Sequence, residues 1–306
     1  MAIALDVIHD TLATVRPGTA VRHGALTVVP LLGPAQPEPT WLTLAEAGEA
    51  VRITEVTDAG EVPTLEVTSD AECPVLLLDG EELIGAKQNR IVNTTALLAP
   101  HARTIIPVSC VEQGRWSHRA ERSRSSDYAL YASVRRKKAA WVSERVRRTG
   151  RHDSDQAGVW KDLAATAARL GVWSPTDAMH VVYERYAPDL EQARAALAPV
   201  PDQVGALVVI AENWAGLELL AAPGLFARTW PRLLSGYAAD ALGLMPGSTH
   251  PDPVEVLARV MAAPREPAPA VGLGAEFRLG GGEVVGAALV AEERVAHLAA
   301  FPVPAR

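Results

Sequence analysis

The sequence lacks the features that mark a secreted or membrane-spanning protein. Its 306 residues include only two cysteines, Cys73 and Cys110, which cannot build a framework of disulfide bonds. The N-terminal stretch MAIALDVIHDTLATV has no basic segment followed by an apolar one, so it does not resemble a secretory signal. The longest apolar stretch, residues 204–226, is interrupted by two glutamates and an asparagine, whereas a membrane span needs about 20 apolar residues. We therefore expect a cytoplasmic protein with no membrane span.

Common catalytic and cofactor-binding motifs are missing as well. The eight histidines never fall into HExxH or another paired spacing, so the sequence predicts no metal site. The stretch GLGAEFRLGGG matches neither GxGxxG nor GxxxxGK[ST], and we interpret its glycines as turns between strands. The GxSxG elbow of many hydrolases does not occur. The sequence thus leaves the cofactor, if there is one, unknown.

The composition is that of a folded globular protein, with 48% hydrophobic and 21% charged residues. A net charge of −7 conceals an uneven distribution, because residues 115–151 hold twelve Lys or Arg and three acids. A basic segment of this kind can attract phosphate-bearing ligands or nucleic acid. The simpler interpretation is a solvated helix face.

The secondary-structure pattern divides the chain into three portions. Residues 1–124 contain short, β-branched strands separated by Gly, Pro and Asp, after one helix near the N-terminus. Residues 125–200 have helical periodicity, with helices predicted to begin near Ser125 and Ser174. Residues 201–306 return to strands around a helix from about Pro223 to Leu242 and another that begins at Asp252-Pro253. We predict an α+β fold of mainly antiparallel sheets with a helical insertion and a second β-α-β portion packed with the first.

Three short segments each consist of an apolar strand, an acidic turn and a second strand. They are LLLDGEELIGA, LVVIAENWAGL and ALVAEERVAHL. Turns of two to four residues join antiparallel strands and are too short for parallel crossovers. The segments therefore predict three antiparallel hairpins.

The first of these hairpins leads into an unusual polar run, Lys87-Gln88-Asn89-Arg90. If residues 91–98 and 104–112 form a hairpin, Arg90 lies opposite Glu112 across two neighbouring strands. The polar side chains then gather at one end of a sheet, where they could surround a cleft beside Trp116.

Two interpretations of this polar cluster stay open. The basic side chains could bind an anionic ligand while Trp116 offers a surface for stacking, with ligand contacts from Glu81, Lys87, Gln88, Asn89, Arg90, Arg115 and Trp116. Catalysis would need a base or a nucleophile, for which the candidates are Glu82, Glu112 and Cys110. Alternatively, an Arg90–Glu112 ion pair simply ties two strands together, and Cys110 is an inert buried thiol.

The chain resembles the ADP-ribosylglycohydrolase and rhodanese-phosphatase-superfamily-associated domain family from about residue 70 onward. The resemblance depends on LLLDGEELIGAKQNRIVNTTALLAP, IIPVSCVEQGRW, the segment from GALVVIAENWAGL to YAADAL, and VVGAALVAEERVAHLAAF. It implies a link to NAD and ADP-ribose metabolism but no particular reaction. We therefore expect a protein that binds or processes a nucleotide or an ADP-ribose-like anionic ligand. The alternatives are a non-catalytic scaffold or partner-binding protein and, less favoured, a nucleic-acid-binding protein that uses the basic segment 115–151.

Overall fold

A computed structural model describes residues 2–34, 36–57 and 60–303 of the chain. Within these residues it contains eight α-helices: α1 (Ala2–Thr14), α2 (Leu44–Ala47), α3 (Ala132–Thr149), α4 (Gln156–Arg169), α5 (His180–Arg185), α6 (Ala187–Ala196), α7 (Pro223–Ala241) and α8 (Pro253–Ala262). The first nine strands are β1 (Arg16–Pro17), β2 (Val21–His23), β3 (Leu26–Leu32), β4 (Leu42–Thr43), β5 (Val51–Thr54), β6 (Thr64–Ser69), β7 (Val75–Leu77), β8 (Glu81–Gly85) and β9 (Arg90–Val92). The remaining strands are β10 (Ala96–Leu98), β11 (Arg103–Cys110), β12 (Ser123–Ala129), β13 (Gln203–Ile210), β14 (Asn213–Leu220), β15 (Arg265–Ala268), β16 (Ala275–Leu279), β17 (Val284–Ala291) and β18 (Arg294–Pro302).

The largest element is an antiparallel sheet with the order β1-β3-β13-β14-β18-β17-β16-β15, in which β2 also pairs with β3. Most of its side chains are buried on both faces, as is typical of a sheet covered on both sides, and a few buried charged residues such as Glu218 interrupt the apolar pattern. Leu207 and Val209 pack in a core with helices α1 and α8, whereas Ala206 and Val208 face the core formed with the middle helices. Strands β1 to β3 therefore belong to the same sheet as the C-terminal strands. The division into three portions remains a prediction about domains.

The other sheet structure is a closed antiparallel barrel with the order β11-β6-β5-β12-β8-β9. Alternate side chains of its strands fill the interior, including Ile53, Val67, Leu83, Val92 and Ile106. A small third sheet, β10-β7-β4, contains the one parallel pairing among the described strands, between β4 and β7. The fold is α+β with mainly antiparallel sheets, and this prediction is confirmed.

Several predicted helices occur where the periodicity placed them. Helix α7 covers the predicted range, and α8 begins at Pro253 because the Asp252 carboxylate accepts a hydrogen bond from the backbone N–H of Val254 at 2.9 Å. Among the described residues, no helix is both long enough and apolar enough to cross a membrane.

Two predicted helix starts were wrong. Residues 123–129, including Ser125, form strand β12, because they pair with β8 in the barrel, and helix α3 begins only at Ala132. Ser174 does not begin a helix either. Its hydroxyl accepts from the backbone N–H groups of Thr176 and Ala178, which forms a turn, and α5 begins at His180.

The prediction of three hairpins was correct for two segments. Strands β13 and β14 pair, and so do β17 and β18. Strands β7 and β8 follow one another but belong to different sheets, because β7 pairs with β4 and β10 whereas β8 pairs with β9 and β12. The Asp79-Gly80 turn is therefore the point at which the chain returns to the barrel after β7.

The predicted pairing of Arg90 with Glu112 was also wrong. Arg90 lies opposite Cys110. The stretch 90–98 is not one strand, because it is divided at residues 93–95, where Thr95 makes hydrogen bonds with the backbone N–H of Asp79 and with His297. Strand β10 leaves the barrel at that point, and the register of β9 with β11 differs from that of a simple hairpin.

Candidate functional site

The inward face of the barrel changes from apolar to polar at one end. Val92 and Val108 lie in the barrel core, and they pair with each other across β9 and β11. Side chains on a strand alternate between its two faces, so Arg90 and Cys110, two residues further along, point the same way. A charged side chain is thus placed inside the barrel, where an uncompensated charge is costly.

Two further polar residues reach the same end from strands β5 and β12. Ser123 pairs with Ile53, a core residue, and therefore also faces inward. Glu55 follows β5 at the alternate position after Ile53, and its charge acts on Arg90. With the covering residues described below, these side chains define the barrel mouth: Glu55, Lys87, Arg90, Cys110, Trp116 and Ser123.

The guanidinium of Arg90 is incompletely satisfied although it is 0% exposed. Its Nη1 donates to Gln88 Oε1 at 2.7 Å, whereas Nε and Nη2 are buried and have no hydrogen-bond partner within the described ranges 2–34, 36–57 and 60–303. Burial lowers the pKa of Arg90, and the nearby Cys110 and Glu55 oppose this shift. A buried N–H without an acceptor costs about 1–3 kcal/mol, and more when the group is charged.

Acceptors in the mouth are also left without partners. Both carboxylate oxygens of Glu55 and the hydroxyl oxygen of Ser123 are buried and form no hydrogen bond with the described residues. Together with the two Arg90 nitrogens, five polar atoms of one compartment therefore have no partner among the described residues. Buried polar atoms are nearly always paired with protein or with an ordered molecule, so a polar molecule or water would satisfy these atoms.

Trp116 and Lys87 cover this compartment. Trp116 is 47% exposed, and the Arg90 guanidinium and the Lys87 ammonium lie 5.5 Å and 5.6 Å from its ring centroid. A Cβ atom added to Gly60 would come within 3.1–3.2 Å of Glu55, Lys87 and Trp116, so all three side chains converge on that glycine. The indole therefore separates the buried charges from solvent.

Glu112 and Arg115 form a separate, extensively hydrogen-bonded network on the outer side of the mouth, although Arg115 Nε is buried without a partner among the described residues. Arg115 Nη2 donates to Glu112 Oε2 at 2.6 Å and to Asn89 Oδ1 at 3.1 Å, and its guanidinium also donates to three backbone carbonyls, those of Gly85, Ala86 and Ser117. Glu112 further accepts from the backbone N–H of Asn89 and from Thr176 Oγ1. Although burial alone would raise the pKa of Glu112, these donors lower it, so the carboxylate is a weak base.

Gln88 joins this network to the mouth. Its amide nitrogen donates to the Glu112 carbonyl at 3.2 Å, while its amide oxygen accepts from Arg90. The run Lys87-Gln88-Asn89-Arg90 is therefore divided between two environments. Lys87 and Arg90 face the indole, and Asn89 holds the loop that contains Arg115.

Cys110 is buried beneath Arg90. Burial raises the pKa of its thiol, although Arg90 acts in the opposite direction. The backbone N–H and carbonyl of Cys110 are both bonded to the side-chain amide of Gln156, each at 2.8 Å. A thiol that is 0% exposed and protonated is a poor nucleophile, so these observations argue against covalent catalysis by Cys110.

Glu81 and Glu82 do not contact the mouth residues. Glu81 accepts from Ser125 Oγ at 2.5 Å and lies 3.3 Å from Arg232. Glu82 Oε2 accepts from Ser126 Oγ at 2.7 Å and lies 2.9 Å from His180 Nδ1, whereas Glu82 Oε1 is buried without a partner. The two adjacent carboxylates thus belong to different environments.

The basic segment 115–151 does not form one positive surface. Arg115 is bonded to Glu112, Arg135 to Glu218 and Lys138 to Asp79, and all three cations are buried. Nucleic-acid binding depends on exposed cations that contact phosphates. The segment therefore offers fewer such contacts than its composition suggests.

The sequence pattern missed Glu55, Ser123 and His180. Glu55 was detectable in principle, because a period of two from Val51 and Ile53 places it on the core-facing side of its strand. His180 is 98 residues from its partner Glu82, and no local pattern indicates that contact. The pairing of Ser123 with Ile53 likewise depends on barrel closure.

The fold and the site together define an α+β protein in which a small antiparallel barrel ends in a buried, charged mouth. The model of the ARPP-1 family, the ARG and Rhodanese-Phosphatase-superfamily-associated Protein domain, matches residues 14–301, so the chain belongs to this family. The match begins well before residue 70 and therefore includes strands β1 to β6. No curated protein and no solved structure matches the chain.

Proposed function

We propose that the barrel mouth binds a nucleotide or an ADP-ribose-like anionic ligand. The observation that carries this proposal is a buried guanidinium, Arg90, with two unpartnered nitrogens directly behind a half-exposed indole, Trp116. Guanidinium groups bind phosphate oxygens through two parallel hydrogen bonds, and indoles stack on bases. Both parts of a nucleotide would thus find a matching group within one compartment.

The unsatisfied atoms of Arg90 and Glu55 have complements in such a ligand. Phosphate oxygens would accept from Arg90 Nε and Nη2, and Lys87 would add a second positive charge. Ribose hydroxyls would donate to Glu55, in the way that acidic residues bind ribose in dinucleotide-binding folds. Because Arg90 is fully buried, binding requires the Trp116 side chain to move aside and then pack on the ligand.

The family context supports this ligand class. The link to NAD and ADP-ribose metabolism is implied by the resemblance to a domain family named for its association with ADP-ribosylglycohydrolases. If the bound ligand is also processed, Glu55 is better placed as a base than Glu112. Glu55 lies within the mouth and its oxygens accept no hydrogen bond from the described part of the chain, whereas Glu112 is held by Arg115, Asn89 and Thr176.

A non-catalytic scaffold is the second candidate, and the Arg115 network favours it. A guanidinium with five acceptors fixes the loop between β11 and β12 without any ligand. Under this alternative the mouth atoms are satisfied by water alone, and the protein binds no nucleotide.

Thermal-shift measurements and calorimetry with ADP-ribose, NAD, AMP and inorganic phosphate separate these alternatives. A ligand that binds only the native state raises the unfolding midpoint, and we expect ADP-ribose or NAD to do so for the wild type. Trp116→Ala and Arg90→Gln should abolish the shift. Trp141→Ala is the matched control, because Trp141 is a similarly exposed indole, 52% exposed, on helix α3.

The outcome for each variant is informative. Loss of the shift in Trp116→Ala, with the shift retained in Trp141→Ala, supports binding at the mouth. If none of the nucleotides shifts the midpoint of the wild type, the proposal fails and the scaffold is favoured. A shift that survives in both Trp116→Ala and Arg90→Gln would place the ligand elsewhere.

A further inference from the structure

A second cavity lies between helix α4 and residues 170–179, the segment that joins α4 to α5. Its volume is about 170 Å³. An apolar cavity of about 150 Å³ can hold a benzene molecule, so this one has room for a small aromatic ring. None of the barrel-mouth residues lines it. The cavity is therefore a separate site, and its chemistry follows from its own walls.

One wall of the cavity is a single stripe of helix α4. Trp160, Leu163, Ala164 and Ala167 line the cavity, and their spacing of i, i+3, i+4 and i+7 places them on one face of the helix. Leu163 is buried, whereas Ala164 is exposed at the rim. Two of these four side chains are single methyl groups, so the wall leaves space for a bound molecule.

The depth of the cavity is apolar. Tyr131, Met179 and Val182 line it, are at most 2% exposed and belong to the core formed with the middle helices. Val172, from the segment after α4, also lines the cavity and packs against the same core. The body of a ligand in this space must be apolar, because a polar body would lose its hydrogen bonds to water.

Three aromatic residues contribute to the lining. Trp173 is 80% exposed at the opening, and Trp160 and Tyr131 line the same cavity. Aromatic rings attract cations through the negative faces of their π-systems, and tryptophan does so most strongly. This concentration of aromatic rings favours a ligand that carries a positive charge.

The charges around the cavity favour a cation as well. Among the described residues that line it, Asp177 is the only one with a charged side chain, and it is exposed. The C-terminal end of α4, which is the negative end of the helix dipole, reaches the cavity through Ala167 and Ala168. Arg169, the cation of that last turn, donates to carbonyls at the end of α7 instead.

We propose that this cavity binds a small organic amine, whose ammonium group lies beside Asp177 and the Trp173 indole while its apolar body fills the space along α4. Asp177 would repel an anionic ligand, and a neutral ligand would lack the attraction of the carboxylate. Trp173 and Asp177 are already exposed, so binding requires no buried atom to be uncovered. The site is independent of the barrel mouth, and neither proposal requires the other.

The indole N–H resonances of the seven tryptophans provide a direct test in ¹H–¹⁵N NMR spectra. Trp173→Phe identifies the Trp173 resonance by its disappearance. Phenethylamine, an aromatic ring with an ammonium group on a short chain, should shift this resonance saturably. Phenethyl alcohol, the neutral compound of the same shape, should bind at least about fivefold more weakly. Phenylacetate, the anionic compound, should cause no saturable shift. The Trp116 resonance, identified with Trp116→Phe, should stay in place.

Two variants test the charge and the space separately. Asp177→Asn removes the charge and keeps a residue that tolerates the left-handed φ of 49° at this position. It should weaken phenethylamine binding at least about threefold and leave the binding of phenethyl alcohol unchanged. Ala164→Leu fills the cavity and should weaken both ligands about tenfold or more. Ala165→Leu is the matched control, because Ala165 is an exposed alanine of the same helix that does not line the cavity.

Each outcome bears on the proposal. Weaker phenethylamine binding in Ala164→Leu, with the affinity retained in Ala165→Leu, supports it. A Trp173 resonance that does not move with phenethylamine overturns it. So does binding of phenethyl alcohol or phenylacetate that is as tight as that of phenethylamine, or an unchanged affinity for phenethylamine in Asp177→Asn or in Ala164→Leu.

Discussion

Arg135 Nη1 lies 2.6 Å from Glu218 Oε1, and both side chains are completely enclosed. Glu218 on β14 also accepts from the hydroxyl of Tyr237 at 2.7 Å and contacts His297 Nε2 at 2.9 Å. Arg135 on α3 reaches Asp79, in the turn through which the chain returns to the barrel, at 3.3 Å. One buried ion pair thus joins the nine-stranded sheet, the helical portion and the barrel.

Removal of the cation from this pair should destabilise the fold severely. In Arg135→Met the buried Glu218 carboxylate loses its main counter-ion, a change that typically costs about 3–5 kcal/mol. We expect urea unfolding to show a loss of this size. Arg147→Met is the matched control on the same helix, because Arg147 is half-exposed and pairs only with surface acids, so its loss should be about 0.5 kcal/mol or less. Equal effects of the two substitutions would contradict this account.

The same network should make the protein sensitive to acid. Burial alone would raise the pKa of Glu218, but Arg135 and His297 lower it below the ordinary value of 4.5. The pKa of Asp79 is lowered in the same way. Burial alone would raise it, but Lys138 and Arg135 lower it below the ordinary value of 3.8. Carboxylates with a lowered pKa in the folded state stabilise it above their unfolded pKa, and this contribution is lost as the pH falls through the folded pKa.

We therefore expect the contribution of these carboxylates to the free energy of unfolding to be constant near neutral pH and to fall below about pH 4.5. Urea titrations between pH 7 and pH 3 measure this profile. Glu218→Gln should reduce the acid limb of this profile, which is the loss in the free energy of unfolding at low pH. The same substitution should lower the stability at neutral pH. In contrast, Glu212→Gln should change the acid-induced loss of stability much less, because the hydrogen bonds from Ser248 that lower the pKa of Glu212 lie at the exposed β13–β14 turn, where water screens them. If Glu218→Gln loses as much stability on acidification as the wild type does, other residues cause the acid sensitivity.

The sequence predicted the fold where the local pattern and the tertiary pairing agree. Helices α7 and α8 have clear starts at Pro223 and Asp252-Pro253, and β13 with β14 is a local hairpin. The prediction failed at Ser125, where helical periodicity begins while the chain is still paired with β8. It failed for β7 and β8 because barrel closure is a non-local property that no turn pattern encodes.

The candidate site was predictable only in outline. The polar run from Lys87 to Arg90 does meet Trp116, as expected from two neighbouring strands. The partners of Arg90 and Glu112 differ from the prediction. A shift of two residues in the register sets Arg90 opposite Cys110, and Glu112 forms its ion pair with Arg115 instead. The strand is broken at residues 93–95, where Thr95 contacts the distant His297, and no local pattern indicates that contact.

A glycine in the hairpin β13–β14 should prove indispensable for packing. A Cβ atom at Gly216 would lie 2.2 Å from the hydroxyl of Tyr237, which donates to Glu218. Gly216→Ala should therefore displace Tyr237 and cost about 1–3 kcal/mol in urea unfolding, the usual range for overpacking. Gly280→Ala is the control, because nothing lies within 4 Å of a Cβ atom at that position. If both variants unfold at the same urea concentration, Tyr237 is not constrained by the glycine.

The two thiols should differ sharply in reactivity. Cys73 is partly exposed, whereas Cys110 is buried and burial raises the pKa of its thiol. A thiol reagent such as Ellman's reagent should modify about one group per native chain, and the second only after unfolding in denaturant. In Cys73→Ser the native protein should be almost unreactive. Rapid reaction of Cys110 in that variant would revive its role as a nucleophile.

His180 should titrate with an elevated pKa because of Glu82. The hydrogen bond from Nδ1 to Glu82, at 2.9 Å, raises the pKa of His180 above its ordinary value of 6.5, against the effect of burial. A raised pKa in the folded state means that the charged imidazole stabilises the fold below pH 6.5, and that this contribution disappears as the pH rises through the folded pKa. His180→Gln should therefore be destabilised most, relative to the wild type, in mild acid, and the difference in the free energy of unfolding should narrow above that pKa.

NMR titration of the His180 ring measures its pKa directly. Glu82→Gln should lower it clearly, whereas Glu184→Gln should lower it less, because Glu184 is exposed and 3.8 Å from Nε2. A His180 pKa at or below 6.5 in the wild type would show that the Glu82 carboxylate does not hold the imidazole in its charged form.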